Sequence, residues 1–112
     1  MEIHYSSKKV KKHCTDFKEA QKYYSQKTAI KLHKLINFIE EIESLKELID
    51  IPIYHFHPLI GKRDGQFAID IDGRKSSYRL IASFDDISSK DVFSQANKIN
   101  IIRIEEVSKH YE

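Results

Sequence analysis

The sequence has little cysteine, proline and glycine, and no tryptophan: one Cys, two Pro and three Gly occur in 112 residues. The single cysteine, Cys14, excludes an internal disulfide and is typical of a reducing compartment. No apolar run approaches the roughly 18 residues that span a bilayer. The opening Met1-Glu-Ile-His-Tyr also lacks the basic and apolar segments of a secretory signal. We therefore expect a cytoplasmic protein that makes no membrane contact.

Charge is abundant, and it is unevenly distributed. Hydrophobic residues make up 40% and charged residues 32%, so the chain can bury a core, and its length predicts a single domain, residues 1–112. Residues 1–34 carry nine lysines against three acids, whereas residues 35–50 carry five acids against one lysine. A basic first third beside a basic centre indicates a polyanionic partner. The alternative is that the lysines only solvate a helix face.

Apolar residues at intervals of three or four predict helices in the first half of the chain. After a short strand at residues 2–6, we expect helices at residues 8–14, 17–24, 26–43 and 45–49. Each follows a residue that can cap a helix: Ser6 or Ser7, Thr15 or Asp16, Ser25, and Ser44. Pro52 ends the helical region.

Beyond Pro52 the apolar period changes to two, which predicts strands at residues 53–58, 66–71, 77–84 and 99–107. Asp64-Gly65 and Asp72-Gly73 separate the first three and predict hairpin turns. Residues 85–98 are polar and without a sustained period, which predicts a loop. This order predicts an α+β fold, with the N-terminal strand and helices packed on one face of a mainly antiparallel, twisted sheet. The other face is then free for function.

Several segments together carry a resemblance to a known family. Met1-Glu-Ile-His-Tyr leads into Lys8-Lys-Val-Lys-Lys-His-Cys14, and the centre reads His57-Pro-Leu-Ile-Gly-Lys-Arg-Asp-Gly-Gln-Phe67. Tyr78-Arg-Leu-Ile81 then precedes the closing Ile104-Glu-Glu-Val-Ser-Lys-His-Tyr111. In this order and spacing the chain resembles the RelE/ParE superfamily of toxins from bacterial type II toxin–antitoxin systems. It is most similar to the HigB-like branch of plasmid maintenance killer proteins, over nearly its whole length.

The resemblance implies an endoribonuclease that cleaves messenger RNA in the ribosomal A site, inhibits translation, and uses no metal or cofactor. It also implies a cognate antitoxin, expected to be a helix-turn-helix DNA-binding protein. His57, Arg79 and His110 match three functional positions of the family. The fourth departs from the pattern, because the family commonly has Lys directly after Pro-Leu and this chain has Ile60. The C-terminal alignment leaves either His110 or Glu112 at the last position.

Cleavage of RNA through its own 2′-hydroxyl needs proton transfer and cations around the phosphorane. We expect His110 to act as acid or base, with His57 positioning the reaction or sharing the proton transfer. Arg79 is expected to stabilise the phosphorane, and Lys62 and Arg63 to hold phosphates in place of the missing lysine. An unpaired base would stack on one of three aromatic side chains: Tyr78, Tyr111 or Phe67.

Blander alternatives exist for each of these residues. His57 could be an ordinary strand residue, Arg79 a surface ion pair, and His110 a frayed terminal residue. His55 and His57 also have the spacing of metal ligands, but no Cys or carboxylate pattern completes a site. Two other functions remain open: a ParE-like toxin that binds DNA gyrase without cleaving RNA, and an inert basic module kept for an antitoxin. The set of His57, Arg79 and His110 favours the nuclease.

Overall fold

A computed structural model describes residues 1–109, which form strands and helices in an α+β arrangement. Their order is β1 (Glu2–Tyr5), α1 (Lys8–Thr15), α2 (Phe17–Tyr23), α3 (Gln26–Glu41), α4 (Leu45–Ile49), β2 (His57–Pro58), β3 (Gln66–Asp70), β4 (Tyr78–Ser83), α5 (Ser89–Ser94) and β5 (Ile101–Lys109). Short 3-10 turns occupy Pro52–Tyr54, Gly61–Arg63 and Ala96–Lys98. Within residues 1–109, no helix combines the length and the apolarity needed to cross a bilayer.

The strands form one sheet in the order β1-β5-β4-β3-β2. β1 and β5 run parallel, with Ile3 opposite Ile102. The pairs β5–β4, β4–β3 and β3–β2 are antiparallel. A register shift between Ile81 and Ala82 marks a bulge against β5. The predicted fold class, α+β with a mainly antiparallel sheet, is therefore confirmed.

The helices begin where the capping residues predict. Ser7, Asp16 and Ser25 each accept a hydrogen bond from the backbone N–H three residues later. The Glu47 carboxylate accepts one from the Ser44 backbone N–H at 3.3 Å. These bonds satisfy N–H groups that the first turn of a helix leaves unpaired. The longest helix ends at Glu41, two residues before the predicted end, because the next residue already has extended backbone, with φ −78° and ψ 156°.

The helices cover one face of the sheet, and the core lies between them. α3 contributes side chains that are at most 2% exposed: Leu32, Leu35, Ile36 and Ile39. The sheet contributes alternate residues of its three central strands: Phe67, Ile69, Leu80, Ala82, Ile102 and Ile104. The predicted period of two thus assigns the inward-facing residues of β3 and β4 correctly. Each large apolar side chain buried here stabilises the fold by about 1.5–3 kcal/mol.

The predicted strand at residues 53–58 is wrong except for its last two residues. Pro52 opens a 3-10 turn that runs to Tyr54, and His55 follows with φ 42° and ψ 53°. A strand cannot continue through this left-handed conformation, so only His57–Pro58 pairs with β3. A positive φ is uncommon for a residue with a Cβ atom. The strained residue lies beside the groove described below.

The predicted loop at residues 85–98 contains α5 and a 3-10 turn. The Ser88 hydroxyl donates a hydrogen bond to the Asp91 carboxylate at 2.8 Å where the helix begins. Val92 and Ala96, four residues apart, are 0% and 2% exposed. Two apolar residues do not establish a period, so the pattern alone did not predict this helix. Burial against the core stabilises it instead.

Candidate functional site

A groove of about 830 Å³ lies on the sheet face that the helices leave uncovered. It is lined by β2 and the turn after it, by the β3–β4 connection, and by β4 and β5. The lining residues are His57, Leu59, Ile60, Arg63, Arg74, Lys75, Ser76, Ser77, Arg79, Ile81 and Ser108. Four of them are Lys or Arg and none is Asp or Glu. A concave surface lined by one sign of charge concentrates ions of the opposite sign, here anions.

The strand register explains how residues distant in the sequence meet in this groove. Asp70 on β3 lies opposite Arg79 on β4, which lies opposite Ser108 on β5. His57 on β2 lies opposite Ala68, two residues from Asp70 on the same face of β3. Opposite residues on neighbouring strands have their Cβ atoms about 4.5–5.5 Å apart. His57 and Arg79, predicted from the sequence, therefore lie on the same face of the sheet. They belong to neighbouring rows of side chains that run across the strands, one through Ala68 and one through Asp70.

Arg79 forms an ion pair with a buried carboxylate beneath the groove. Its Nε lies 2.9 Å from Oδ1 of Asp70, which is 1% exposed, while the Arg79 side chain is 23% exposed. Among residues 1–109, no group forms a hydrogen bond to this carboxylate, so charge attraction holds the pair together. Nη1 of Arg79 also donates to the carbonyl oxygens of Ser76 and Tyr78. The guanidinium is thus fixed in place before any ligand binds.

His57 has its ring orientation fixed by the backbone. Its Nδ1 lies 2.7 Å from the carbonyl oxygen of His55, and a carbonyl can only accept, so Nδ1 carries the hydrogen. In the neutral ring this leaves Nε2 as a hydrogen-bond acceptor and proton acceptor. The His55 and His57 rings lie 4.3 Å apart between centroids, tilted by 31°. The side chain is half-buried at the groove wall, where it can exchange a proton with a bound molecule.

The basic turn after β2 places its two cations differently. Arg63 lines the groove and is held by Glu106, 2.7 Å from Nη2, and by Gln66, 2.9 Å from Nη1. Lys62 is exposed and does not line the groove. Ile60, at the position where the family commonly has lysine, lines the groove and is 87% exposed. The turn therefore offers one tethered cation and one large apolar side chain.

Two of the three predicted stacking residues, Tyr78 and Phe67, do not line the groove. Tyr78 packs on the helix-covered side, 5.2 Å from the Tyr24 ring in an edge-to-face arrangement. Phe67 is 1% exposed and belongs to the core, so its stacking role is wrong. His110 and Tyr111, and the alternative Glu112, lie outside residues 1–109. Their predicted roles stay predictions.

Sequence reasoning missed four lining residues of the β3–β4 connection and the carboxylate beneath them: Arg74, Lys75, Ser76, Ser77 and Asp70. The sequence feature that could have indicated the connection as part of the site is its basic and polar Arg-Lys-Ser-Ser run, which directly follows the Asp72-Gly73 turn. The signal for Asp70 was an acid inside a strand whose other residues are mostly apolar. Within residues 1–109, no cluster of three or more His, Cys, Asp or Glu could hold a metal ion.

Comparison with solved structures places this fold among known proteins, although no protein-family profile and no curated protein matches the sequence. A YafQ variant from E. coli is 22% identical, with a TM-score of 0.55, over 96% of this chain and 91% of that one. A chain of the YoeB-YefM complex from Staphylococcus aureus is 21% identical, with a TM-score of 0.54, over 99% and 98%. The YoeB/ParE toxin from Agrobacterium tumefaciens is 14% identical, with a TM-score of 0.53, over 99% and 100%.

The chain therefore has the same fold as these YafQ and YoeB chains, which agrees with the fold that the resemblance drawn from the sequence implies. At these identities the likeness establishes the fold alone. Placement in the HigB-like branch stays a prediction.

Proposed function

We propose that this protein is the toxin of a type II toxin–antitoxin system and an endoribonuclease that cleaves messenger RNA on the ribosome, thereby inhibiting translation. The observation that carries the proposal is the groove: it gathers four cations, excludes carboxylates from its lining, and presents His57 and Arg79 in adjacent rows. Cations fixed in advance around a developing charge supply a large part of such catalysis.

In the proposed reaction the 2′-hydroxyl of the RNA is the nucleophile. Its proton passes to a base, its oxygen bonds to the adjacent phosphorus, and the bond from phosphorus to the 5′-oxygen breaks. The 5′-oxygen takes a proton from an acid, which leaves a 2′,3′-cyclic phosphate and a 5′-hydroxyl end. Because the nucleophile belongs to the substrate, the reaction needs no metal-activated water.

His57 and Arg79 suit two of the roles in this reaction. Nε2 of neutral His57 can accept the proton of the 2′-hydroxyl. Among the contacts of residues 1–109, Nη2 of Arg79 makes no hydrogen bond, whereas Nε and Nη1 are engaged. Nη2 is therefore available to a phosphate oxygen while Asp70 holds the guanidinium still. His110, the second proton-transfer residue of the proposal, lies outside residues 1–109.

The proposal also specifies partners. The substrate is messenger RNA held on the ribosome, which places the protein in the cytoplasm. A helix-turn-helix antitoxin would neutralise it, and the S. aureus structure, described as a YoeB-YefM complex, supports a protein partner for this fold.

The test is brief expression of the chain followed by mapping of messenger RNA 5′ ends. We expect new ends inside translated codons, and we expect them to disappear in His57→Ala and Arg79→Lys. Arg103→Ala is the matched control, because Arg103 is an ion-paired strand arginine that does not line the groove. Intact messenger RNA together with arrested replication would instead support a ParE-like toxin that binds DNA gyrase, since one fold can carry either function.

A further inference from the structure

His55 and Arg74 form a contact at the groove wall that the proposed reaction does not use. Nη2 of Arg74 lies 3.0 Å from Nε2 of His55. A guanidinium stays protonated and can only donate, so Nε2 of His55 must accept. His55 is therefore neutral in this contact, with its hydrogen on Nδ1, the atom that lies 3.9 Å from Oδ2 of Asp70.

The same histidine also orients His57. Its carbonyl oxygen accepts the hydrogen bond from Nδ1 of His57, and this geometry depends on the left-handed backbone of His55, with φ 42°. A non-glycine residue held in this region costs roughly 1–3 kcal/mol, and such strain persists where the surrounding structure enforces it. One strained residue thus fixes one groove residue through its backbone and a second through its ring.

The connection that carries Arg74 is fastened at both ends. The carboxylate of Asp72 lies 3.6 Å from Nζ of Lys27 and 3.9 Å from Nζ of Lys31 on α3. At the other end, Nη1 of Arg79 donates to the carbonyl of Ser76. Arg74 itself is exposed and lines the groove, so without His55 its long side chain would be free to leave it.

We propose that Arg74 binds a phosphate of the RNA in the groove, and that His55 is the positioning residue that holds Arg74 there. The proposal rests on the function proposed above, because it takes RNA as the occupant of the groove. An arginine already oriented loses less side-chain entropy when it binds a phosphate. Its fork also matches two phosphate oxygens at once.

The charges around His55 make the contact measurable without RNA. Four groups face the ring: His57, Arg74, Asp70 and Arg79. Burial lowers the pKa of His55, His57 and Arg74 lower it further, and Asp70 opposes them. Removing Arg74 should therefore raise the pKa of His55. The imidazole nitrogen shifts in an NMR titration report both this change and the Nδ1–H tautomer.

The binding experiment uses ribosomes programmed with a messenger RNA whose A-site nucleotides are 2′-O-methylated, so that they cannot be cleaved. We expect Arg74→Ala to weaken binding about tenfold, as for loss of a charge-assisted contact, and His55→Asn to weaken it less, because Arg74 remains but is no longer held in place. The double variant should be no weaker than Arg74→Ala, because His55 acts on binding only through Arg74. His55→Asn keeps the left-handed backbone, which asparagine tolerates, but its side chain is too short to reach Arg74.

His55→Gln is the matched rescue, since its amide oxygen can stand where Nε2 of the histidine accepts. We expect it to bind within about twofold of wild type. Independent losses from His55→Asn and Arg74→Ala, or an unchanged His55 titration in Arg74→Ala, would overturn the inference, whatever the cleavage assay shows. If the losses of ribosome binding in the Arg74 and His55 variants are not additive but wild type cleaves no messenger RNA, the inference stands and the proposed nuclease activity fails.

Discussion

The two faces of the sheet follow different rules. The helix-covered face is built from alternate apolar residues that are almost fully buried. Each of them stabilises the fold in the same way, by burying apolar surface. The open face carries charged and polar side chains whose value depends on position, such as Asp70 beneath Arg79. Position on that face is set by strand register, because a slip of one residue would turn each side chain to the other face.

The comparison separates stability from function. The covered face supplies the burial that holds strands and helices together, and the open face uses that rigidity to fix cations before a ligand arrives. The Asp70–Arg79 pair belongs to both, since its carboxylate is 1% exposed while its guanidinium reaches the groove. Substitutions on the two faces should therefore give distinguishable losses.

The largest expected effect on stability is on the covered face. Leu32 is 0% exposed at the centre of α3. Leu32→Ala should lower the free energy of unfolding by about 3–5 kcal/mol, because it removes buried methyl groups and leaves a cavity. Urea denaturation measures this loss. Ile30→Ala on the same helix, where Ile30 is 46% exposed, is the matched control and should cost less than about 1 kcal/mol. Comparable losses from the two would contradict the assignment of faces.

The second effect tests the Asp70–Arg79 ion pair, which is partly buried on the open face. Arg79→Ala leaves the Asp70 carboxylate buried without its cation and should cost about 3 kcal/mol of unfolding free energy, the lower end of the range for a broken buried pair, because Arg79 is 23% exposed. Combining it with Asp70→Asn should recover more than half of that loss, because the uncompensated charge is gone. Messenger RNA cleavage should fall by about 10²–10³ in both variants. Equal stabilities of the single and double variants would show that the ion pair does not matter to the fold.

The sequence predicted the covered face well because local rules determine it. Caps at Ser7, Asp16 and Ser25 and periods near 3.6 and 2 depend on neighbouring residues only. The errors fell where a non-local cause decides. His55 adopts a left-handed backbone that its residue type does not indicate, and Val92 is helical through burial.

The open face was predicted in its residues but not in its contacts. The predicted strands leave residues 72–76 as their connection, but residues 71–77 form a longer one, and the resulting register places Asp70 opposite Arg79. No local pattern specifies the length of that connection. The ion pair, and the role of Arg74 beside it, therefore needed three-dimensional structure, whereas His57 and Arg79 did not.

A third prediction concerns pH on the helix side. His13 is 7% exposed, and burial, with Lys9, lowers its pKa, while Glu19 opposes the shift. The unfolded chain then binds the proton more tightly, so stability should fall as pH drops below about 6.5, with a slope of at most about 1.4 kcal/mol per pH unit. His13→Gln should flatten that part of the profile. An unchanged slope in His13→Gln would refute the assignment.

The smallest expected effect sharpens the open face itself. Ile60 lines the groove, is 87% exposed, and stands where the family that the sequence resembles commonly has lysine. Ile60→Lys should tighten binding to the programmed ribosome about three- to tenfold at low salt, since it adds a cation beside Arg63 and removes an exposed apolar side chain. The slope of log affinity against log salt should steepen by about 0.7, the value for one more phosphate contact on a single strand.

Ile53→Lys provides the matched control for this last change. Ile53 is 63% exposed but lies in the 3-10 turn before β2 and does not line the groove. The same charge added there should leave the salt slope within error of wild type, because it makes no phosphate contact in the groove. Equal gains at both positions would mean that net charge alone governs binding. A gain at Ile60 only would show that binding on the open face depends on where each charge lies. On the covered face, by contrast, only burial of apolar side chains matters.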